Sequence, residues 1–242
     1  MGLLDKIRPA STPGLFVDAG EFRIHLQTDA AAADQARAVA RGRWEQIDAY
    51  LRRFPGFGQQ VGPQEAPEEA PVMVQAMAEA SRIVDVQPAA VLIGALVEAI
   101  GSDVGLISRE ATIACEGVSY NFGYRTKTLS VDQGGDQDAP AVGIRVRSAD
   151  KPFAFFTSSG RSRLLPETGG ARAVAVVGER PPTVEAVGIA MGRALAKGLK
   201  LGRVLAVAQQ IAEVRGGVIL TLDQIGVWGG IEVVGVGSGQ TT

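Results

Sequence analysis

The chain has 242 residues, with 24 basic and 26 acidic side chains, one cysteine and one histidine. These counts exclude a disulfide within the chain, a zinc site built from cysteine and histidine, and a pair of histidines acting as acid and base. The net charge of −2 counts against nucleic acid as the main partner. No apolar run reaches the ~18 residues that a membrane span needs, so we predict a soluble, cytoplasmic protein with no membrane partner.

The first part of the chain predicts a hairpin followed by helices. Residues 14–28 alternate in polarity around an Asp-Ala-Gly turn, which is typical of a β-hairpin. Residues 30–54 carry apolar side chains at helical spacing, and residues 55–71 hold four of the twelve prolines, which indicates a surface loop. Further helices are predicted at 71–84 and from residue 88 to about 100, the second apolar on nearly every face and therefore buried.

The rest of the chain predicts short strands and two more helices. Thr183 is the predicted cap of a helix that ends near residue 197. Another helix is predicted at 201–214, and strands at 217–222 and 230–234 are predicted to pair. Without regular βα alternation, this order indicates the α+β class, with mixed or antiparallel sheets packed on Ala/Gly-rich helices. The remaining β-rich runs lie near 104–108, 111–116, 141–147, 153–157 and 172–178.

The first candidate site follows a predicted strand and combines hydroxyl groups, a glycine and two arginines. Hydroxyl and backbone N–H groups orient phosphate oxygens, and arginine neutralises their charge. The alternative is an exposed Ser-Gly turn with solvated arginines. No Walker-type lysine follows, so an ordinary P-loop is excluded. The residues are Thr157, Ser158, Ser159, Gly160, Arg161 and Arg163.

The second candidate site also leaves a strand, and it holds two of the three tyrosines. Aromatic faces beside an amide suit a planar heterocycle, whereas a packed turn at a strand end is the structural alternative. We expect the cysteine of this segment to be buried rather than nucleophilic. The residues are Cys115, Glu116, Ser119, Tyr120, Asn121, Tyr124 and Arg125.

Two further features leave alternatives open. His25 is most simply a half-exposed residue of an alternating strand, and the alternative is a contact with a ligand. The carboxylates of Glu98, Glu116 and Glu185 could supply oxygen ligands to a divalent cation.

Several segments together resemble one family. They are the apolar helix at 88–98, Cys-Glu-Gly at 115–117, Thr-Ser-Ser-Gly at 157–160, the strand at 173–178 and the helix at 184–192. Their order and spacing resemble the UPF0280 family, which is related to ApbE, the FAD:protein FMN transferase. The resemblance covers roughly residues 70–235.

The resemblance implies an ApbE-like fold and a ligand. It implies one domain over residues 1–242, with the hairpin and long helix at 14–54, the proline-rich loop at 55–71 and the core at 72–235. A flavin, FMN or FAD, or a similar phosphorylated heterocycle would lie between the two candidate segments. The expected phosphate contacts are Ser158, Ser159, Arg161 and Arg163, and the expected ring contacts are Tyr120, Asn121 and Tyr124.

The resemblance also bears on Mg²⁺, and here the chain departs from the family pattern. Glu185 stands where the family has Asp, and Ile189 stands where it has Thr, which removes a hydroxyl ligand. The Asp that should follow Glu116-Gly117 is missing. Because Mg²⁺ demands nearly complete octahedral oxygen coordination, these changes argue against a magnesium site, with Glu185 as its remaining candidate ligand.

The leading hypothesis is therefore an ApbE-like protein that binds a flavin or similar heterocycle, as a divergent transferase with an impaired metal site. One alternative is a non-catalytic partner or ligand-sensing protein. Another is a step in the biosynthesis of a one-carbon pterin cofactor of the tetrahydromethanopterin type. A homo-oligomer or a protein partner is left open.

Overall fold

The computed structural model describes residues 14–59, 62–133, 142–147, 151–159 and 171–235. Its first part contains the predicted hairpin, loop and helices. Short 3₁₀ turns at Ala30–Ala32 and Pro88–Val91 precede the first and third helices. The elements are β1 (Leu15–Ala19), β2 (Phe22–Thr28), α1 (Ala33–Arg53), α2 (Val72–Ile83) and α3 (Leu92–Val104).

The described residues of the second part form nine strands and two helices. The strands are β3 (Ala111–Cys115), β4 (Val118–Phe122), β5 (Lys127–Ser130), β6 (Val142–Val146), β7 (Phe153–Ser159), β8 (Ala173–Gly178), β9 (Val214–Leu220), β10 (Ile225–Gly229) and β11 (Glu232–Gly235). The helices, between β8 and β9, are α4 (Pro181–Ala196) and α5 (Leu201–Ala208).

The strands form two antiparallel sheets in three layers with the helices. The large sheet has the order β1-β2-β3-β4-β7-β8-β9-β10, and the small sheet has the order β11-β6-β5. One apolar core lies between the large sheet and the helices, and a second lies between the two sheets. The α+β prediction, with antiparallel sheets on buried helices, is confirmed.

Two glycines allow the helices to pack closely, as their Ala/Gly-rich composition indicates. A Cβ atom at Gly94 of α3 would lie 2.6 Å from the Cα of Pro182 in α4. A Cβ atom at Gly188 of α4 would lie 2.3 Å from the ring of Phe156 in β7. Helix α4 is therefore pressed against both α3 and the centre of the large sheet.

Three predictions about secondary structure are wrong near helix ends. Residues 104–108 are not a strand, because their N–H groups bond to carbonyl groups at the end of α3. Gly105 N–H donates to the Gly101 carbonyl, and Ser108 N–H donates to the Val104 carbonyl. Helix α4 begins at Pro181 rather than after a Thr183 cap, because prolines fit the first helical turn. The helix predicted at 201–214 ends at Ala208, and Val214 already belongs to β9.

The predicted pairing of 217–222 with 230–234 is also wrong. Strand β9 pairs with β8 and β10, while β11 pairs with β6 in the other sheet. The reason is the unpredicted strand β10, which follows a short turn closed by Thr221 N–H and Gln224 C=O and so occupies the free edge of β9. Strand β5 was not predicted either.

We also compared the helices with the dimensions of a bilayer. Within the described ranges, no single helix combines the length and apolar composition needed to cross a membrane. The helices at Val72–Ile83 and Pro88–Val104 meet that test only as a pair, bent by 109°.

Candidate functional site

The turn between β3 and β4 brings parts of the two predicted site segments together. Glu116 (φ 44°) and Gly117 (φ 83°) form a two-residue hairpin turn with positive φ at both positions. Thr157 N–H donates to the Gly117 carbonyl at 2.9 Å. A Cβ atom at Gly117 would lie 2.2 Å from the Thr157 carbonyl oxygen, so only glycine lets the turn lie against the end of β7.

A groove opens beside this turn, where the small sheet stops covering the large one. Its floor is formed by β2, β3, β4 and the end of β7, and its wall is β5, an edge strand of the small sheet. Its volume is about 370 Å³. We call it the intersheet groove, and its polar lining residues are Arg23, His25, Gln27, Thr112, Glu116, Ser119, Thr128, Ser130 and Thr157.

A buried amide connects a lysine to the floor of this groove. Lys127 Nζ donates to Thr112 Oγ1 and, at 3.2 Å, to Asn121 Oδ1. Asn121 is fully buried, and its Nδ2 donates to Ser119 Oγ at 3.0 Å. Because an ammonium can only donate, the amide oxygen must face Lys127 and the amide nitrogen must face Ser119.

Among the described residues, no group accepts the hydroxyl protons of two groove residues, so these protons can be donated to a ligand. Ser119 Oγ accepts from Asn121, so its own proton is available to another acceptor. Thr157 Oγ1 accepts from Asp132 N–H at 2.8 Å and is available in the same way. Both residues line the groove, which therefore presents hydrogen-bond donors to a bound group.

Two cations and one carboxylate lie around the groove: Arg23 and Glu116 line it, and Lys127 bonds to its floor. Burial lowers the pKa of Lys127, against a smaller opposing effect of Glu110, and the two groups that accept its hydrogen bonds are neutral. In the part of the chain that the structure describes, neither Lys127 nor Arg23 forms an ion pair. Burial also lowers the pKa of His25, so its imidazole is neutral at pH 7. This arrangement suits an anionic ligand.

Two residues of the predicted site, Tyr120 and Ser158, face the helices instead of the groove. Tyr120 packs edge-on against Phe122, with ring centroids 4.6 Å apart, on the face opposite Ser119. Ser158 pairs with Val174, which belongs to the helix-side core, whereas Thr157 and Ser159 point to the other face. Alternation along a strand is the reason: neighbouring side chains point to opposite faces.

Cys115 lies at the end of β3 beside the groove, but its side chain is only 4% exposed and belongs to the helix-side core. Burial, with a smaller effect of nearby carboxylates, raises the pKa of its thiol to about 12. A thiol that stays protonated is a poor nucleophile, in agreement with the sequence expectation.

Tyr124 and Arg125 lie at the other end of the large sheet. They follow the end of β4 that pairs with the start of β7, whereas Thr157 and Ser159 lie near the end of β7. Tyr124 is 70% exposed, and Arg125 forms an ion pair with Glu110 at 3.3 Å. Tyr124, one of the predicted ring contacts, therefore lies at the opposite end of the strands from Thr157 and Ser159.

A larger cavity, about 600 Å³, lies at that other end and includes Tyr124. Two of its polar side chains are bonded to each other: Asp29 accepts from Ser108 Oγ at 2.8 Å, and it also accepts from Arg109 N–H at 3.0 Å. Ser108 Oγ in turn accepts from Asp29 N–H at 3.2 Å. The intersheet groove, whose hydroxyl protons are free, is the better candidate site.

Glu185, the predicted metal ligand, is buried in α4. Its Oε2 accepts from Gly94 N–H at 2.6 Å, and its Oε1 has no partner among the described residues. Burial raises the pKa of this carboxyl to about 8, against a smaller opposing effect of the Gly94 N–H. A neutral acid between two helices does not fit Mg²⁺, and the described residues contain no group of three or more His, Cys, Asp or Glu side chains that could hold a metal.

Gly160, Arg161 and Arg163 lie outside the described residues. Conversely, the sequence analysis missed Thr112 and Arg23 as groove residues, and Lys127 as the lysine that bonds to the groove floor. The alternating polar positions of β2 were a usable signal for Arg23, but nothing local to Lys127 indicates that β5 lies over β4.

Comparison with known proteins places this architecture in a class. The fold is that of the ApbE proteins. Solved structures with this fold include a variant of the flavin transferase ApbE from Vibrio cholerae, with 11% identity and a TM-score of 0.62. The match covers 89% of this chain and 96% of that chain. The apo flavinyl transferase ApbE from Pseudomonas stutzeri is similar, with 11% identity and a TM-score of 0.62 over 89% of this chain and 94% of that chain. The ApbE protein from Thermotoga maritima is also similar, with 13% identity and a TM-score of 0.59 over 91% of this chain and 96% of that chain.

The family follows from the sequence itself. The model of the family described as "AbpE bacteria" matches residues 8–213, and the chain belongs to that family. No curated protein matches the sequence.

Proposed function

We propose that this protein binds a flavin nucleotide, FMN or FAD, or a similarly phosphorylated planar heterocycle, in the intersheet groove. The phosphate would lie near Ser119 and Thr157, where the free hydroxyl protons point. We also propose that the chain belongs to the UPF0280 group, forms a single domain and lies in the cytoplasm. The proposal leaves room for a second copy of the chain or for a protein partner.

One observation carries the proposal: the directed chain of hydrogen bonds from Lys127 through Asn121 to Ser119. Lys127 forms no ion pair with the described residues, and a fully buried amide connects it to a hydroxyl on the groove floor, which makes that hydroxyl a better donor. Phosphate oxygens accept such bonds and benefit from the positive charge. The ApbE fold supports the ligand class, because solved proteins with this fold are flavin transferases by name.

The residues at the expected metal-binding position favour a second candidate, a non-catalytic ligand-sensing protein. Ile189 is fully buried and supplies no oxygen, and Glu185 is a neutral acid at pH 7. We derive no catalytic step that uses a metal. If the protein does not transfer flavin, FAD incubated with it and Mg²⁺ should yield no AMP, and AMP release that requires both would contradict the non-catalytic candidate.

Calorimetric titration tests the binding proposal. FMN, FAD and a phosphorylated pterin are added separately to the purified protein, which also tests the hypothesis of a pterin-related step. Wild-type protein should bind at least one of them, and K127M should bind it about tenfold more weakly, the effect of losing a charge-assisted hydrogen-bond system.

The matched control is R52M, which removes an exposed cation of α1 on the helix side of the large sheet and should leave the affinity unchanged. Circular dichroism and a thermal midpoint establish that both variants fold. Wild-type protein that binds none of the three ligands, or a folded K127M that binds as tightly as wild type, would overturn the proposal.

A further inference from the structure

We propose that the planar ring of the ligand lies over Ala114 and against His25, on the outer face of the N-terminal hairpin. The two tyrosines of the second candidate segment then have no part in ring binding. This inference rests on the proposed function and adds a ring subsite to it. We call Phe16, Arg23 and His25 the hairpin platform.

The register of the strands places the platform in line with the proposed phosphate contact. Ser119 pairs with Ala114, Ala114 with His25, and His25 with Phe16. Neighbouring strands lie about 4.8 Å apart, so Ser119 and His25 are about 10 Å apart on the same face. Between them, Ala114 presents only a methyl group, which leaves a flat floor for a planar group.

The platform consists of planar groups that are already oriented. The rings of Phe16 and His25 are stacked, with centroids 4.9 Å apart and an interplanar angle of 29°. Arg23 Cζ lies 4.4 Å from the centroid of the Phe16 ring. Aromatic rings and guanidinium groups are the side chains on which heterocycles stack, and Arg23 and His25 both line the groove.

Exposure supports a ligand-binding role for this face. Phe16 is 56% exposed although its ring could bury a large apolar area. The imidazole of His25 is half-buried and neutral at pH 7 because burial lowers its pKa, which suits an uncharged ring beside it. By contrast, Phe155 of the same row is only 5% exposed, in the core beneath the small sheet.

The single histidine of the chain gives this inference a residue-specific test. In protein labelled with ¹³C-histidine, the only imidazole signals belong to His25. We expect FMN to shift them saturably, through the ring current of the flavin, with the same Kd that calorimetry gives. Inorganic phosphate, which has no ring, should leave them nearly unchanged.

Variants separate this inference from the proposed function. H25A should bind FMN about five- to tenfold more weakly, the usual effect of losing one stacking partner, and should bind inorganic phosphate as wild type does. H25F should restore FMN binding, and Y124A should resemble wild type. K127M, in contrast, should weaken both ligands.

Two results would overturn the inference. If FMN binds wild-type protein but the His25 signals stay in place and H25A binds FMN equally well, the ring subsite is wrong and the proposed function stands. If wild-type protein binds neither FMN, FAD nor the pterin, the proposed function fails and the subsite fails with it.

Discussion

Glu185 shows how a single buried side chain departs from its expected role. The sequence places it at a metal-binding position of the family pattern, but the structure encloses it between α3 and α4 with one hydrogen bond. Whether a carboxylate is exposed to a cation or enclosed by apolar neighbours depends on helix packing, which no local pattern reveals.

The raised pKa of Glu185 predicts a pH dependence of stability. Its folded-state pKa of about 8 lies above its ordinary value of 4.5, so the folded protein holds the proton more tightly than the unfolded chain. The free energy of unfolding should therefore fall as pH rises from about 4.5 to about 8, by up to ~1.4 kcal/mol per pH unit. Other groups titrate too, so the comparison with E185Q isolates this contribution.

Urea unfolding of wild type and E185Q at pH 5, 6.5 and 8 measures the contribution of Glu185 to the free energy of unfolding. Glutamine can still accept the Gly94 N–H bond and does not ionise, so the advantage of E185Q over wild type should grow with pH. A difference that is constant across this range would show that the carboxyl has an ordinary pKa.

Ser119 and Ser158 form a matched pair of buried hydroxyls on opposite faces of the large sheet. S119A should weaken FMN binding about three- to tenfold because it removes the donor at the end of the hydrogen-bond chain. S158A should leave binding unchanged, since its side chain faces the helices. Calorimetric titration of both variants with FMN measures these effects. If S158A weakens FMN binding more than S119A does, Ser158 rather than Ser119 contacts the phosphate.

At the scale of elements, the turn between β3 and β4 depends on glycine for two separable reasons. Gly117 and Gly198 both have a φ of 83°, but a Cβ atom would collide with Thr157 only at Gly117. G198A should cost about 1 kcal/mol of stability, the cost of positive φ. G117A should cost about 2–4 kcal/mol because the collision is added. Equal losses on urea unfolding would show that β7 moves aside freely.

Most helices and several strands could be predicted from the sequence because their signals are local. The hairpin at β1 and β2, the long helix α1 and the buried helix α3 each carry their own periodicity or turn. Strands β5 and β10 have four and five residues, too few for a periodic pattern to stand out. The helix predicted over 201–214 was too long because its apolar spacing continues past the turn that ends α5.

The candidate site was predictable only in part, for a related reason. The sequence analysis singled out Glu116, Ser119, Asn121 and Thr157, and the fold brings them to one groove or its supporting network. It could not assign a face to each residue without knowing that β4 and β7 are strands up to residues 122 and 159. Tyr120 and Ser158 were included for their chemistry although strand alternation turns them away.

At the scale of the whole molecule, the position of the small sheet defines the site. It covers the apolar half of the large sheet and leaves the polar faces of β2, β3 and β4 open beside β5. Strand β5 follows β4 after only four residues but belongs to the other sheet, so its position beside these strands is set by the packing of the two sheets. The groove, the hydrogen-bond chain from Lys127 and the hairpin platform all result from this one arrangement.

The location of the bound ligand tests the account most directly. In a crystal structure of the protein with FMN, we expect the phosphate beside Ser119 and Thr157 and the ring across Ala114. Density for FMN in the cavity beside Tyr124, with the intersheet groove empty, would contradict the account.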